Sequence, residues 1–185
     1  VVIPTATNGI ASGFSTATYP NESYWFNESS RMIFDHRYWN IAYMGKNNQF
    51  YKSTDGGKTW VWCGLPESHH IGRILLHPTD PNTAWVAVLG HLYPPNAERG
   101  VYKTGDGGKT WAKTLFINDI SGAVDLAIDP NDPNTLFAAT WERKRSAWNF
   151  DGAGNGSGIW KSGDAGTTWS LISTPDSGFP TGPKA

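Results

Sequence analysis

The chain has 185 residues, a net charge of −1 and 17% charged side chains, and its 15 basic residues form no stripe that would suit nucleic acid. No apolar run approaches the roughly 18 residues of a membrane-spanning helix. A single cysteine, Cys63, excludes an internal disulfide and any Cys-x-x-Cys metal or redox motif.

Residues 1–30 are rich in Ser, Thr, Asn and Ala and stay unassigned, as a linker or as strands completing a neighbouring unit. The chain starts at Val1 without a signal peptide, so it reads as processed or as a piece of something longer. Asn21, Asn27 and Asn155 open N-glycosylation triplets, which matter only in a secreted eukaryotic protein.

From Arg31 the chain repeats itself. Ser53-Thr54-Asp55-Gly56-Gly57-Lys58-Thr59-Trp60 recurs as Thr104-Gly105-Asp106-Gly107-Gly108-Lys109-Thr110-Trp111 and as Ser162-Gly163-Asp164-Ala165-Gly166-Thr167-Thr168-Trp169. Tyr51-Lys52, Tyr102-Lys103 and Trp160-Lys161 precede the three copies. Aromatic and β-branched flanks around an Asp/Gly centre predict a strand, a tight turn and a strand. The Asp carboxylate and the Ser or Thr hydroxyl can bond the turn's own amides, and the closing Trp can pack over it. These aspartates are read as structural, and Asp106→Asn as a stability change rather than a loss of chemistry.

A second turn also recurs. His77-Pro78-Thr79-Asp80-Pro81-Asn82 matches Asp129-Pro130-Asn131-Asp132-Pro133-Asn134, and Asp35 to Asn40 keeps the step without prolines. Apolar runs lie on both sides: Met32 to Phe34 and Ile41 to Met44, Arg73 to Leu76 and Thr83 to Leu89, Asp125 to Ile128 and Thr135 to Trp141. Each unit is therefore four strands, A to D, with the octapeptide as the C–D turn. The 21 Gly and 12 Pro, with the alternation of Val124, Leu126 and Ile128, exclude long helices.

A four-stranded antiparallel repeat of this length is a β-propeller blade. The predicted blades are 31–63, 71–117 and 123–173, with 174–185 as a tail. Propellers close with about 4–8 blades, so the remaining blades or other copies of the chain are expected partners. Tyr43, Trp85 and Phe137 fall at equivalent strand-B positions and are predicted to pack between blades.

The octapeptide pattern resembles the Asp-box, or bacterial neuraminidase repeat, of sialidases, xyloglucanases and sortilin-like (Vps10) proteins. Gly64 to Arg73, Ala87 to Tyr93, Gly122 to Leu126 and Ala139 to Arg143 are similar to a bacterial sortilin-like branch. The resemblance implies an extracytoplasmic all-β propeller acting as a non-catalytic binding or assembly module. A polysaccharide-directed glycoside hydrolase is the alternative. The nearest segment to a sialidase's Arg-Ile-Pro is Arg73-Ile74-Leu75, which departs from it.

Spacing places the functional face. Asp55 to Asn82 spans 27 positions and Asp106 to Asn134 spans 28, whereas Asn40–Asp55, Asn82–Asp106 and Asn134–Asp164 span 15, 24 and 30. All growth lies between strands B and C, and loops that lengthen on a fixed scaffold are where binding sits. B–C loops and D–A links share one propeller face, and there a glycan or peptide ligand is expected at His69, Arg73, His91, Tyr93, Arg99, Trp141, Arg143 and Trp148. Arg forks grip carboxylates and Trp faces stack on sugars. The competing reading is internal pairing: Arg31, Arg73 and Asp125 across blades, and the loop arginines with Glu98 and Glu142.

A hydrolase would need two carboxylates about 5–9.5 Å apart, and Glu98, Asp119, Glu142 and Asp151 offer no pair singled out by spacing. His69-His70 is half a metal site without a third ligand, since strand neighbours point opposite ways. Asp151 to Gly156 lacks the spacing and closing Glu of a calcium loop. No metal and no cofactor is therefore predicted. Asp55, Trp60, Asp106, Trp111, Asp164 and Trp169 are assigned to structure.

Overall fold

Each octapeptide folds into a turn held by its own side chains. In the computed structural model, which describes residues 31–46 and 49–179, Asp106 Oδ1 accepts from the Lys109 and Thr110 amides, both at 2.9 Å, and Oδ2 from the Thr110 hydroxyl at 2.6 Å. Thr104 Oγ1 donates to Asp106 at 2.8 Å and accepts the Gly108 amide at 3.0 Å. The same web forms around Asp55 and Asp164. Gly56 and Gly57, like Gly107 and Gly108, take positive φ, which only glycine adopts without strain. The unassigned lead-in, with Asn21 and Asn27, lies outside the described residues.

The turns organise three four-stranded antiparallel sheets in chain order. The first contains β1 (Arg31–Phe34), β2 (Ala42–Lys46), β3 (Gln49–Ser53) and β4 (Val61–Trp62). The second contains β5 (His70–Leu76), β6 (Ala84–Gly90), β7 (Gly100–Thr104) and β8 (Ala112–Leu115). The third pairs β9 (Ser121–Ile128) and β10 (Leu136–Glu142) with β13 (Gly158–Ser162) and β14 (Ser170–Leu171). A two-stranded hairpin, β11 (Lys144–Arg145) with β12 (Phe150–Asp151), rises from the connection between β10 and β13. The sequence predicts that whole connection as loop, because two residues per strand are too few for an alternation to show. A 3₁₀ turn, Pro175–Ser177, lies in the 174–185 tail. No helix among the described residues is long and apolar enough to cross a membrane. The architecture is that of β-propeller blades.

The two turns at one end of each sheet are tied together. The A–B turn of each sheet accepts an amide from its own octapeptide: Gly56 N to Asn40 O, Gly107 N to Asn82 O and Ala165 N to Asn134 O, each at 2.9 Å. The core sits between sheets. Tyr43 and Phe50 of the first pack with Ile74, Val86 and Val88 of the second. Trp85, Ala87 and Val101 pack with Ala123, Leu126 and Leu136 of the third. Glycine lets the inner strands approach, since a Cβ at Gly72 would meet the Val124 carbonyl and one at Gly122 the Leu89 carbonyl.

Each sheet also reaches for the next. Lys52 Nζ donates to Gly107 O and Lys103 Nζ to Thr167 Oγ1, both at 3.2 Å. Tyr43 OH donates to Pro81 O at 3.2 Å and Trp85 Nε1 to Ala165 O at 3.0 Å. In return Trp111 Nε1 donates back to Cys63 O at 2.7 Å and Trp169 Nε1 to Thr114 Oγ1 at 3.2 Å. Phe137 is only half-buried. It lies on the opposite side of β10 from Leu136 and Ala138, which face the second sheet. Lys161 covers its ring at 5.9 Å, as Lys52 covers Tyr43 at 5.1 Å. Two of the three aromatics therefore pack between described sheets, and the third faces away from them.

The hydroxyl of Thr59, with its amide, holds Asp55 down to about 2, below the ordinary 3.8, and Thr110 and Thr168 hold Asp106 and Asp164 lower still. A depressed carboxyl stabilises the fold fully above its unfolded value and loses that contribution as pH falls from there through the folded value. The denaturant midpoint is thus expected to fall steeply once the pH drops below 3.8, continuing to about 2 for Asp55. Asp106→Asn should lower the midpoint at neutral pH and flatten part of that acid loss. Urea titrations at several pH values check it, and a parent-like midpoint at pH 7 would contradict it.

Candidate functional site

At the end of the sheets opposite the octapeptides, four connections meet. They are the links 63–69 and 116–120, the β6–β7 loop 91–99 and the β10–β13 connection 143–157. Asn96 stitches three of them, its amide donating to Asp119 O at 2.8 Å and its side chain to Glu67 O at 3.2 Å. The Arg143 amide donates to Ile120 O at 3.1 Å, which brings in the fourth. The β5–β6 and β10–β9 ladders each carry a register shift near this end, at His70–Arg73 and Ala139–Thr140, and such irregularities re-aim side chains beside sites.

The arginines turn inward. Arg99 is 1% exposed and donates to three carbonyls, Leu89 at 2.7 Å, His91 at 2.8 Å and Pro94 at 3.3 Å. Burial, then the charge of Arg143, pushes it down to about 10, so it stays a cation at neutral pH. Arg143, also buried, donates to the same His91 carbonyl at 3.1 Å and lies over the Trp141 ring at 5.6 Å. Arg73 is half exposed and grips Asp125 of the next sheet with both arms, at 2.6 and 3.2 Å. Trp141 is half-buried, donating to Gly152 O at 2.6 Å with Phe150 edge-on. The candidate forks therefore bond other groups of the protein, Arg99 and Arg143 in the interior and Arg73 at the surface.

Exposed aromatics stand on this face beside exposed charges such as Glu67, Lys144 and Arg145. Trp148 is 88% exposed, Tyr93 54% and Phe150 51%, all on the two long B–C connections. The acids are partly committed. Glu142 Oε2 accepts the Gly156 amide at 2.7 Å, and Glu98 Oε2 accepts from Asn96 at 2.9 Å. Among the described residues, the buried side-chain atoms without a hydrogen-bond partner are Asn96 Oδ1, Arg99 Nε, Ser121 Oγ and Arg143 Nε. All four belong to this end.

His69 and His91 come together across the first link and the β6–β7 loop. Their rings lie 3.2 Å apart between centroids, and both Nε2 atoms face Glu67 Oε2, at 3.4 and 3.8 Å. Burial, then the neighbouring His69, holds His91 below the usual imidazole value. His69 itself sits at φ 52°, in the left-handed region. His70 turns away, with Nδ1 2.9 Å from the Gly90 carbonyl, which fixes the proton on that nitrogen. Glu67 and Asn96 were not among the sequence candidates. Glu67 sits two residues before His69 in a turn that the Ser68 amide closes on the Leu65 carbonyl at 3.2 Å, so no local pattern marks it, and none marks Asn96.

Residues 48–179 match the family described as "Sortilin, neurotensin receptor 3". A xyloglucanase of Acetivibrio thermocellus is 31% identical over 111 residues, 55% of this chain and 12% of that protein. A xyloglucanase of Paenibacillus sp. is 26% identical over 147 residues, 67% of this chain and 13% of that one. The chain thus spans about an eighth of the length of these relatives. Among solved structures, an ancestral GH74 enzyme superposes with TM-score 0.60 at 20% identity, over 79% of this chain and 18% of that one. The GH74 xyloglucanase from Xanthomonas campestris does so with TM-score 0.55 at 15% identity, over 77% and 22%. The folds agree, and with its family match covering well over half its length the chain belongs to the Sortilin-Vps10 family.

Proposed function

We propose that this chain is a non-catalytic binding module of an extracytoplasmic Asp-box propeller, taking a glycan or peptide on the face built from its B–C loops and D–A links. One observation carries the reading: Trp148 stands 88% exposed on the longest connection, on the face that also presents Tyr93 and Phe150. Large aromatic rings held in water by a fixed scaffold mark an interaction surface, and their faces suit sugar rings or peptide side chains. The arginines set the shape of that face rather than gripping the ligand. The half-buried Phe137 with Lys161 above it repeats the posture of Tyr43 with Lys52, and so supports a further blade or another copy docking on the third sheet.

The xyloglucanase relatives favour a second reading, cleavage of a polysaccharide. It requires two of Glu98, Asp119, Glu142 and Asp151 to act as an acid and base pair across a cleft. Probing glycan and peptide arrays with the parent and with Trp148→Ala/Tyr93→Ala separates the two. Stacking contributes about 0.5–1.5 kcal/mol per ring, so the pair should weaken binding at least about fivefold with an unchanged thermal midpoint. Release of reducing sugar from xyloglucan by the parent, lost in Glu142→Gln, would replace the binding reading with the enzymatic one.

A further inference from the structure

We propose that Glu67, His69 and His91 form a binding site for one divalent transition-metal ion of the zinc class, with a coordination position left open towards solvent. The inference is independent of what the loop face binds. Two imidazole nitrogens and one carboxylate oxygen make a donor set that suits zinc, cobalt, nickel or copper. Calcium and magnesium prefer all-oxygen shells, which these residues do not supply.

The spacing fits an ion at the centre. All three donor atoms lie within 4.8 Å of one another. With metal–ligand bonds of about 2.0–2.2 Å, tetrahedral donors stand about 3.3–3.6 Å apart. The His69 and His91 Nε2 atoms are 3.4 and 3.8 Å from the shared Glu67 oxygen, so two of the three donor separations already match a tetrahedral shell to within a few tenths of an ångström.

The competing explanation is an ordinary ion pair between one imidazolium and Glu67. It accounts for one histidine. It does not account for His91, whose Nε2 faces the same Glu67 oxygen at 3.8 Å, beyond hydrogen-bond reach, with its ring 3.2 Å from that of His69. A metal between the three donors accounts for both rings turning Nε2 towards one oxygen.

The scaffold also holds each ligand's backbone. The His91 carbonyl accepts from Arg99 and Arg143, and the Glu67 carbonyl from Asn96. His69 bridges to Gly90 in a short parallel pairing. These bonds fix the backbone from which each donor side chain projects. Glu67 is exposed while both histidines are half-buried, so the carboxylate side gives an entry path and the open position. The ion would clamp the first link to the β6–β7 loop, the same two segments that Asn96 joins.

Chelator-treated parent protein is titrated with Co²⁺ and then with competing Zn²⁺. The expected result is one equivalent of Co²⁺ with the intense visible absorption of a four- or five-coordinate site, displaced by Zn²⁺, and a thermal midpoint that rises with Zn²⁺ concentration. Glu67→Gln and His69→Asn should each weaken binding more than about 100-fold, beyond the usual cost of losing an outer partner. Asparagine tolerates the left-handed backbone of residue 69, and Glu67 is exposed, so both variants should keep the metal-free parent's midpoint. His36→Ala, at an exposed histidine outside the site, should bind like the parent. No saturable Co²⁺ or Zn²⁺ binding by the parent, or binding that survives both variants, overturns the site.

Discussion

Trp85→Ala is expected to remove about 3–5 kcal/mol of stability, the range for truncating a fully buried large aromatic to alanine. Trp85 is 0% exposed on β6 and packs into the interface of the second and third sheets, with Leu126, Leu136 and Ala138 opposite. Its indole N–H donates to the Ala165 carbonyl in the third octapeptide, and a Cβ on Gly166 would touch the ring. Truncation therefore opens a cavity between two sheets and strands a carbonyl at the turn that starts β14. Rigid neighbours on both sides leave little room to collapse, which puts the cost towards the upper end. Urea titration should show a lower midpoint with an unchanged slope. Phe137→Ala, at the equivalent position on a half-buried face, should cost much less in the same assay. A parent-like midpoint for Trp85→Ala would mean that the two sheets do not depend on this contact.

Arg99→Ala is expected to cost about 2–6 kcal/mol, because an acceptor left without a donor costs about 1–3 kcal/mol and two of the three carbonyls it serves lose theirs. His91 O keeps a bond from Arg143, so the Leu89 and Pro94 carbonyls bear most of the loss. Arg99→Met separates packing from hydrogen bonding, since methionine refills much of the volume of the arginine stem and donates nothing. Both variants should unfold at lower denaturant than the parent. If Arg99→Met instead unfolds with the parent while array binding disappears, the guanidinium serves a ligand and not the loop.

The fold was legible because its signal is repeated and chemical. An Asp flanked by hydroxyls and glycines at fixed offsets can close only a few kinds of turn, and three copies set the phase of every strand around them. The lengthening of the B–C connection from 47–48 to 91–99 to 143–157 placed the loop face from counting alone. The residue types at that face were legible too, but their direction was not. Arg99 and Arg143 read as forks for a ligand, yet no local pattern says whether a loop arginine points out to water or back to carbonyls such as His91 O. That choice depends on where β6, β9 and the first link come together, which is tertiary information. Glu67 and His91 are far apart in sequence for the same reason. Phe137 shows the converse limit: its strand position is equivalent to that of Trp85, but its burial depends on which sheet lies beside it.

The lysine and aromatic that each sheet extends to the next turn, and the tryptophan returned from the next octapeptide, give the repeat a direction. Every junction needs a donor half and an acceptor half from successive units, and one unit carries one of each. Duplicating or deleting a whole unit at a constant phase leaves every junction complete, whereas a cut inside a sheet separates halves that no other segment can supply. The natural step for lengthening or shortening such a chain, by recombination or by design, is therefore the entire four-stranded unit.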